Sequence, residues 1–318
     1  MLSAIPSKVE YVRIIVTKRC NLRCCYCHEE GVAANDLQEL PPEEVILLSR
    51  IAYDTGVRKF KLMGGEPTLR EDLSVIIRGI KRFSEQIDVS MISNGILIKD
   101  FADEYKGAGI DRFNISLHGW NSERYRKVTG ASESCLQKTK ESILFLLERK
   151  MLSKLNYLLL KGQNETEFLD LIKWTSQYNV KLDVLNVLYS SKNERVFKPL
   201  FYSYAEIFDF IRTQCKVGSV RLVENPFNLP STQVVLRNGG ILNLKNYPLN
   251  KEMPFRSCAG CAEFAYCIEG IKAIRLTNEG KIKPCLFRQD NEFDLSACVK
   301  AEGYQGAVKS FSNYLSLL

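Results

Sequence analysis

Six segments that resemble β-strands alternate with amphipathic helical segments over the first 195 residues, and this alternation constrains the fold more than any other feature. The strand-like segments are YVRIIVT (11–17), RKFKLM (58–63), IDVSMIS (87–93), DRFNISL (111–117), KLNYLLL (154–160) and KLDVLNVL (181–188). Helical periodicity separates them at 42–56, 70–84, 99–109, 135–150 and 165–179. Such alternation predicts βαβ units and a parallel sheet, so we expect an α/β fold built as an incomplete (β/α)6 barrel.

The pattern changes after about residue 195. One more helix is predicted at 203–215, followed by short strand-like segments. These lie at 220–224, 232–237, 241–245, 273–277 and 281–287. The sequence TNEGK (277–281) is typical of a hairpin turn. We therefore predict two regions, a barrel at 8–195 and a smaller C-terminal region at 196–318.

Composition excludes several classes of protein. Hydrophobic residues make up 45% of the 318 residues and charged residues 25%, as in soluble globular proteins. No apolar run approaches the ~20 residues of a membrane span, and the N-terminus lacks the apolar stretch of a signal peptide. We therefore expect a cytoplasmic protein with no membrane partner. The net charge of +7 comes from scattered basic residues, which suits a solubility surface or an anionic small molecule and argues against nucleic acid.

Candidate functional residues follow the predicted strands. Cysteines follow the first strand, GGEP (64–67) the second, SNG (93–95) the third and HGW (118–120) the fourth. In parallel α/β folds, ligands bind at the edge where the strands end. The sequence therefore predicts an active site at that edge.

The chain has 11 cysteines, and eight of them fall in two groups. In the first group Cys20, Cys24 and Cys27 have the spacing C-x3-C-x2-C. Structural zinc sites take four ligands, whereas three thiolates suit a [4Fe–4S] cluster with one open iron. We expect Cys25 to point away from such a cluster and to pack as a small buried hydrophobe.

These segments together resemble the radical S-adenosylmethionine (SAM) superfamily. The likeness rests on the three cysteines with Tyr26 before the last, on GGEP, on SNG and on NISLHG (114–119), and it covers nearly the whole chain. It implies that the open iron binds SAM and that reductive cleavage of SAM gives a 5′-deoxyadenosyl radical, which takes a hydrogen atom from the substrate. An electron donor such as flavodoxin or ferredoxin is implied as a partner.

The resemblance also implies roles for individual residues. Gly64, Gly65 and Glu66 would meet the amino end of SAM, and Ser93 and Asn94 of the SNG segment would complete that side of the cofactor site. Tyr26 would lie near the adenine, and Ser116 near the ribose or the carboxylate. His118 could transfer a proton near the substrate or could equally be a structural histidine.

Within the superfamily, the sequence is most similar to the GTP cyclases of molybdenum-cofactor biosynthesis. Segments such as VRIIVTKRCNLRCCYC, GGEPTLREDL and RLTNEGKIKPCLF carry this likeness. It implies a phosphorylated small-molecule substrate. The basic positions that would bind its phosphates are Arg13, Lys61, Lys161 and Arg275.

The second cysteine group departs from that pattern. It comprises Cys258, Cys261, Cys267 and Cys285. The cyclases hold an auxiliary cluster with three cysteines, whereas four would close a second [4Fe–4S] cluster, which could then pass electrons or brace the site. A zinc site is the alternative for these four, and whether Cys267 is a ligand stays open. Together with Ile92, Leu188 and Ala273, which replace other residues of the cyclases, the extra cysteine argues against cyclisation of GTP itself.

Three functions follow from these observations. The first is radical cyclisation or rearrangement of a nucleotide, nucleoside or related phosphorylated metabolite, and it rests on the basic positions. The second is a maturase that crosslinks or epimerises a ribosomally made peptide, and it rests on the four-cysteine group. The third is an iron–sulfur electron carrier without SAM chemistry, against which the GGEP segment and the three-cysteine group argue.

Overall fold

The computed structural model describes residues 9–29, 39–189, 194–225, 228–244, 258, 273–286, 288 and 290–318. Six parallel strands form its centre, and all six were predicted to within a few residues. They are β1 (Tyr11–Thr17), β2 (Lys59–Gly64), β3 (Asp88–Ser93), β4 (Arg112–Ser116), β5 (Leu152–Leu158) and β6 (Leu182–Leu185). Each pairs in parallel with the next, which confirms the α/β class.

Helices connect these strands and continue to the end of the chain. They are α1 (Pro42–Asp54), α2 (Leu73–Lys81), α3 (Ile98–Ala108), α4 (Ser122–Thr129), α5 (Glu133–Glu148), α6 (Glu165–Gln177), α7 (Glu194–Leu200), α8 (Tyr204–Gln214) and α9 (Leu295–Leu317). Local sequence sets several ends: α3 stops at Gly109 in the left-handed region (φ 106°), and Ser203 begins α8 with a capping box. The sequence did not predict α4, α7 or α9.

Strands from the C-terminal third extend both edges of the same sheet. They are β7 (Val217–Asn225), β8 (Asn228–Leu236), β9 (Ile241–Leu244), β10 (Ile274–Leu276), β11 (Lys281–Lys283) and β12 (Phe293–Asp294). The spatial order is β12-β11-β10-β1-β2-β3-β4-β5-β6-β9-β8-β7. Both β9 and β10 run parallel to their neighbours β6 and β1, so eight parallel strands stand together, and the other C-terminal strands add in antiparallel fashion. The division of the chain near residue 195 stays a prediction.

The two faces of the sheet differ in polarity. In β2, Phe60 and Leu62 are fully buried in the main hydrophobic core, while Lys59 and Lys61 alternate with them and line an internal cavity. The same alternation recurs in the other strands because successive side chains point to opposite faces. The apolar face is covered by helices, so the polar residues are left to line the inside.

None of the described helices is long and apolar enough to cross a membrane.

Candidate active site

A cavity of about 580 Å³ lies on the inner face of the sheet. Its walls are side chains from the parallel strands and from β7 and β8. The loops that follow β1, β2, β3, β4 and β6 and Thr129 of α4 contribute the remaining lining. This is the edge where the sequence predicted a site. The described lining carries seven basic side chains against three acidic ones, so the cavity favours an anionic ligand.

The loop after β1 presents three of its four cysteines to this cavity. Cys20, Cys24 and Cys27 line it, whereas Cys25 does not. The loop is held against the end of α4, where the backbone N–H of Cys25 donates to the carbonyl of Val128 at 3.0 Å. Cys25 is exposed, so the prediction that it is a buried hydrophobe was wrong, although it does point away from the cavity.

The three thiols lie near enough to one another that Cys20 and Cys27 act electrostatically on Cys24. Within the described ranges, no three His, Cys, Asp or Glu side chains converge closely enough to hold one metal ion. In a [4Fe–4S] cluster each thiolate binds a different iron, so the sulfurs stand further apart. Burial raises the pKa of Cys24 to about 12, and a hydrogen bond with the Tyr26 side chain opposes this shift. A thiol of this kind ionises when iron binds it.

Glycines allow the loop after β2 to pack directly on the cysteine loop. A Cβ at Gly64 would lie 2.2 Å from the carbonyl oxygen of Thr17, and one at Gly65 would lie 2.1 Å from that of Arg19. Two backbone hydrogen bonds join the loops, from Gly65 N–H to Thr17 O (2.8 Å) and from Glu66 N–H to Arg19 O (2.7 Å). Gly65 is therefore needed for a close approach to the backbone beside Cys20.

The carboxylate of Glu66 is 1% exposed and accepts four hydrogen bonds. Its donors are the hydroxyl and backbone N–H of Thr68 (2.7 and 3.2 Å), the hydroxyl of Ser93 (2.8 Å) and the backbone N–H of Asn94 (2.7 Å). Burial raises the pKa of Glu66, and these hydrogen bonds oppose the shift. Glu66 thus ties the end of β3 to the loop after β2.

The remaining predicted cofactor residues also border the cavity. Asn94 donates from its side chain to Asn21 Oδ1 at 2.7 Å, which connects the end of β3 to the cysteine loop. Ser116, at the end of β4, lines the cavity beside these groups. The structure therefore brings together every residue that the sequence assigned to the cofactor.

His118 and Tyr26 form an edge-to-face pair with ring centroids 5.1 Å apart. The Nδ1 atom of His118 accepts a hydrogen bond from the backbone N–H of Leu158 at 2.9 Å, so the proton of the neutral ring is on Nε2. Burial lowers the pKa of His118 to about 3. The ring is therefore neutral near pH 7, and its Nε2–H can donate a hydrogen bond.

Three of the four predicted phosphate-binding residues stand side by side. Arg13 on β1 is in register with Lys61 on β2 and with Arg275 on β10. Their exposures are 8%, 7% and 1%, and all three line the cavity. Lys161 does not join them, because it is exposed and pairs with Glu206 at 2.6 Å on the outer surface.

Sequence reasoning missed the strand residues that complete the lining. These include Lys59, Arg112, Asn114, Lys154, Asn156, Asp183, Gln233 and Asn243. Lys154, seven residues before Lys161, is the lysine of this segment that faces the cavity, and it forms an ion pair with Asp183. The polar–apolar alternation of KLNYL and KLDVL could have revealed both residues.

Comparison with known proteins decides the family. A sequence model of the radical SAM superfamily matches residues 14–175. The chain belongs to the radical SAM superfamily. It is 31% identical over 92% of its length to a probable GTP 3′,8-cyclase of Thermococcus kodakarensis, covering 89% of that protein. A probable GTP 3′,8-cyclase of Archaeoglobus fulgidus is 33% identical, with 89% of this chain and 87% of the relative covered.

Solved structures agree on the fold of this radical SAM enzyme. The crystal structure of Streptococcus suis SuiB bound to the precursor peptide SuiA superposes with a TM-score of 0.62 and 17% identity. The match covers 98% of this chain and 71% of SuiB. At that identity the likeness concerns the fold alone.

Membership confirms the predicted cofactors of this radical SAM enzyme. The family binds a [4Fe–4S] cluster and SAM, and relatives of the GTP cyclase type carry an auxiliary cluster. Cys20, Cys24 and Cys27 line the cavity, and their role as ligands of the first cluster stays a prediction. Of the second group, Cys258 and Cys285 are both partly buried, while Cys261 and Cys267 lie outside the described residues.

Proposed function

We propose that this radical SAM enzyme acts on a nucleoside triphosphate or a closely related phosphorylated nucleotide, by radical cyclisation or rearrangement. The observation that carries the proposal is the buried basic row formed by Arg13, Lys61 and Arg275. Curated relatives named probable GTP 3′,8-cyclase support it over most of the chain.

The burial of the basic row indicates what kind of ligand it binds. Three buried cations on adjacent strands concentrate positive charge at one wall of the cavity, and this charge favours an anionic ligand there. Phosphate oxygens are well matched partners, since arginine binds them in a bidentate manner and lysine as a point charge. A peptide would not supply such a concentration of negative charge, which favours the nucleotide over the peptide interpretation.

Under this proposal each group of residues in the site has its own role. When bound, the cluster at Cys20, Cys24 and Cys27 supplies the electron that cleaves SAM. Glu66 orders the SNG segment that borders the cofactor site. The paired rings of Tyr26 and His118 form another part of the wall of that site. The basic row holds the phosphates and thereby fixes the rest of the substrate against the cofactor.

We also propose that the second cysteine group holds an auxiliary [4Fe–4S] cluster. With Cys258, Cys261, Cys267 and Cys285 as ligands, all four irons would be bound by protein. Such a cluster serves electron transfer or support rather than substrate binding. A flavodoxin or ferredoxin is the electron donor that this chemistry needs.

The basic row is tested by substrate kinetics on the anaerobically reconstituted enzyme with GTP as the probe. Arg13→Gln and Lys61→Gln should each raise the KM for GTP-dependent formation of 5′-deoxyadenosine about 10- to 100-fold, because each removes a charge-assisted hydrogen bond. Lys161→Gln is the matched control and should leave the KM unchanged. Equal KM values for GTP in all three variants, or SAM cleavage that depends on none of GTP, ATP, CTP and UTP, would refute the nucleotide proposal.

A further inference from the structure

The inner face of the sheet carries a second row of polar residues on the side away from the basic row. Strand register aligns Ser116 with Asn156, Asn156 with Asp183, and Asp183 with Asn243. The row continues through Gln233 on β8 to Arg221 on β7. We call the four carboxamides Asn114, Asn156, Gln233 and Asn243 the amide wall, and all four line the cavity.

A chain of hydrogen bonds fixes one half of the amide wall. Arg221 donates from Nε (2.8 Å) and Nη2 (2.5 Å) to Gln233 Oε1. The side-chain NH₂ of Gln233 donates to Asn243 Oδ1 at 2.9 Å, and that of Asn243 donates to Asp183 Oδ1 at 2.9 Å. Because Arg221 can only donate and the Asp183 carboxylate only accepts, both amides have a defined orientation.

This chain of hydrogen bonds leaves amide N–H donors for a ligand. Each side-chain NH₂ has two N–H donors, and Gln233 and Asn243 use one each in the chain. Gln233 is 8% exposed, so water reaches it little. Two oriented donors on neighbouring strands, about 5 Å apart, are thus presented to the cavity.

The other half of the amide wall makes no hydrogen bond to any described residue through its side chains. Asn114 is 1% exposed and Asn156 is 7% exposed. The Oδ1 atom of Asn114 is fully buried with no partner in the part of the chain that the structure describes. A buried carboxamide oxygen without a partner is destabilising, and a ligand in the cavity that donates to it would remove that cost.

The charge on this side is neutralised as well. Asp183 is 1% exposed and forms an ion pair with Lys154, which lies next to Asn114 in the register. The ion pair withdraws Lys154 from phosphate binding. The cavity therefore has a cationic side on β10, β1 and β2. On β4, β5, β6, β9 and β8 amides predominate, although Arg112, which pairs with Asp88, and Lys181 also line that side.

We propose that the amide wall recognises the nucleobase of the substrate whose phosphates the basic row holds. The inference rests on the proposed function, because it assumes a nucleotide. A base edge carries acceptors and donors together, which matches the amide donors of Gln233 and Asn243 and the buried acceptor of Asn114. Base selectivity then comes from protein amides.

The test compares binding of GTP, ATP, CTP, UTP and inorganic tripolyphosphate by anaerobic equilibrium dialysis with the reconstituted holoenzyme. Asn156→Ala and Asn114→Ala lose no hydrogen bond to another described residue, so their folding is least at risk. Each should weaken binding of the preferred nucleotide about 5- to 10-fold and reduce its preference over the other bases. Gln177→Ala, an exposed carboxamide on α6, is the matched control.

Tripolyphosphate and SAM should bind the two variants as tightly as they bind the wild type. If tripolyphosphate is weakened as much as the nucleotide, or if only SAM binding is lost, the amide wall does not read a base and the inference is overturned. It is overturned equally if base preference is unchanged while Arg13→Gln still weakens nucleotide binding, an outcome that leaves the proposed function standing. If the wild type binds neither nucleotide nor tripolyphosphate, the proposed function fails and this inference with it.

Discussion

Substitution of Gly65 by alanine tests how the cysteine loop is held. The added Cβ would lie 2.1 Å from Arg19 O and 2.6 Å from Lys18 O, both of them backbone atoms that cannot rotate away. An ordinary contact needs at least about 3.4 Å, so the two loops must separate by about 1 Å. Separation weakens the hydrogen bonds from Gly65 N–H to Thr17 O and from Glu66 N–H to Arg19 O.

The magnitude follows from these contacts. Two backbone hydrogen bonds contribute about 1 kcal/mol each, and overpacking adds about 1–3 kcal/mol. Gly65→Ala should therefore lower the free energy of unfolding by about 3 kcal/mol. It should also lower the iron retained after anaerobic reconstitution, because Cys20 follows the displaced residue directly.

The assay is urea unfolding, followed by circular dichroism, together with iron content per chain. Gly107→Ala is the control: Gly107 is exposed on α3 and a Cβ there meets nothing within 4 Å. That substitution should be neutral or stabilising, since alanine favours a helix over glycine by up to about 1 kcal/mol. If Gly65→Ala unfolds at the same urea concentration as Gly107→Ala and retains the same iron, the proposed loop packing is refuted.

Three further substitutions test the site. Glu66→Gln replaces one acceptor oxygen by an amide donor that faces Asn94 N–H or Thr68. It should lower the free energy of unfolding, measured by urea unfolding, by about 2 kcal/mol. An unchanged urea midpoint would refute the role of this carboxylate as acceptor of four hydrogen bonds. Burial lowers the pKa of His118 from 6.5 to about 3, so its stabilising contribution is present above pH 6.5 and is lost as the pH falls. Between pH 7.5 and pH 5.5 the wild type should lose about 1.4 kcal/mol more stability than His118→Gln, and equal losses would contradict a neutral buried ring. Asp183→Asn leaves Lys154 without its carboxylate and should cost about 3 kcal/mol by the same assay. The double variant Lys154→Met, Asp183→Asn, which keeps an acceptor for Asn243, should recover most of that loss, and a larger loss in the double variant would contradict the ion-pair argument.

The sequence predicted the elements of the fold better than their arrangement. All six strands from β1 to β6 were predicted because their β-branched residues and the intervening helical periodicity are local signals. The positions of β9 beside β6 and of β10 beside β1 are non-local, and nothing in the short segments ILNLK or AIRLT specifies a partner strand. Helix α9 was missed because its periodicity is broken at Gly303, where the backbone leaves the helical region.

In the candidate site, too, local features were predicted and non-local contacts were not. Cys20, Cys24, Cys27 and the GGE segment were found because their spacing is local and chemically specific. Lys161 was predicted and Lys154 was not, because a motif gives no direction for a side chain, and only the strand alternation shows which lysine faces inward. The pairing of Lys154 with Asp183 joins two strands, so no single segment could predict it.

The central claim is that three of the four clustered cysteines hold the cluster that cleaves SAM, and Cys25 offers an internal control. Both variants, Cys27→Ala and Cys25→Ala, are reconstituted anaerobically and assayed for 5′-deoxyadenosine formation from SAM under reducing conditions. Cys27→Ala should fall to the background rate because it removes a cluster ligand. Cys25→Ala should retain the wild-type rate, since its side chain is exposed and does not line the cavity. Loss of activity in Cys25→Ala with activity retained in Cys27→Ala would contradict the account.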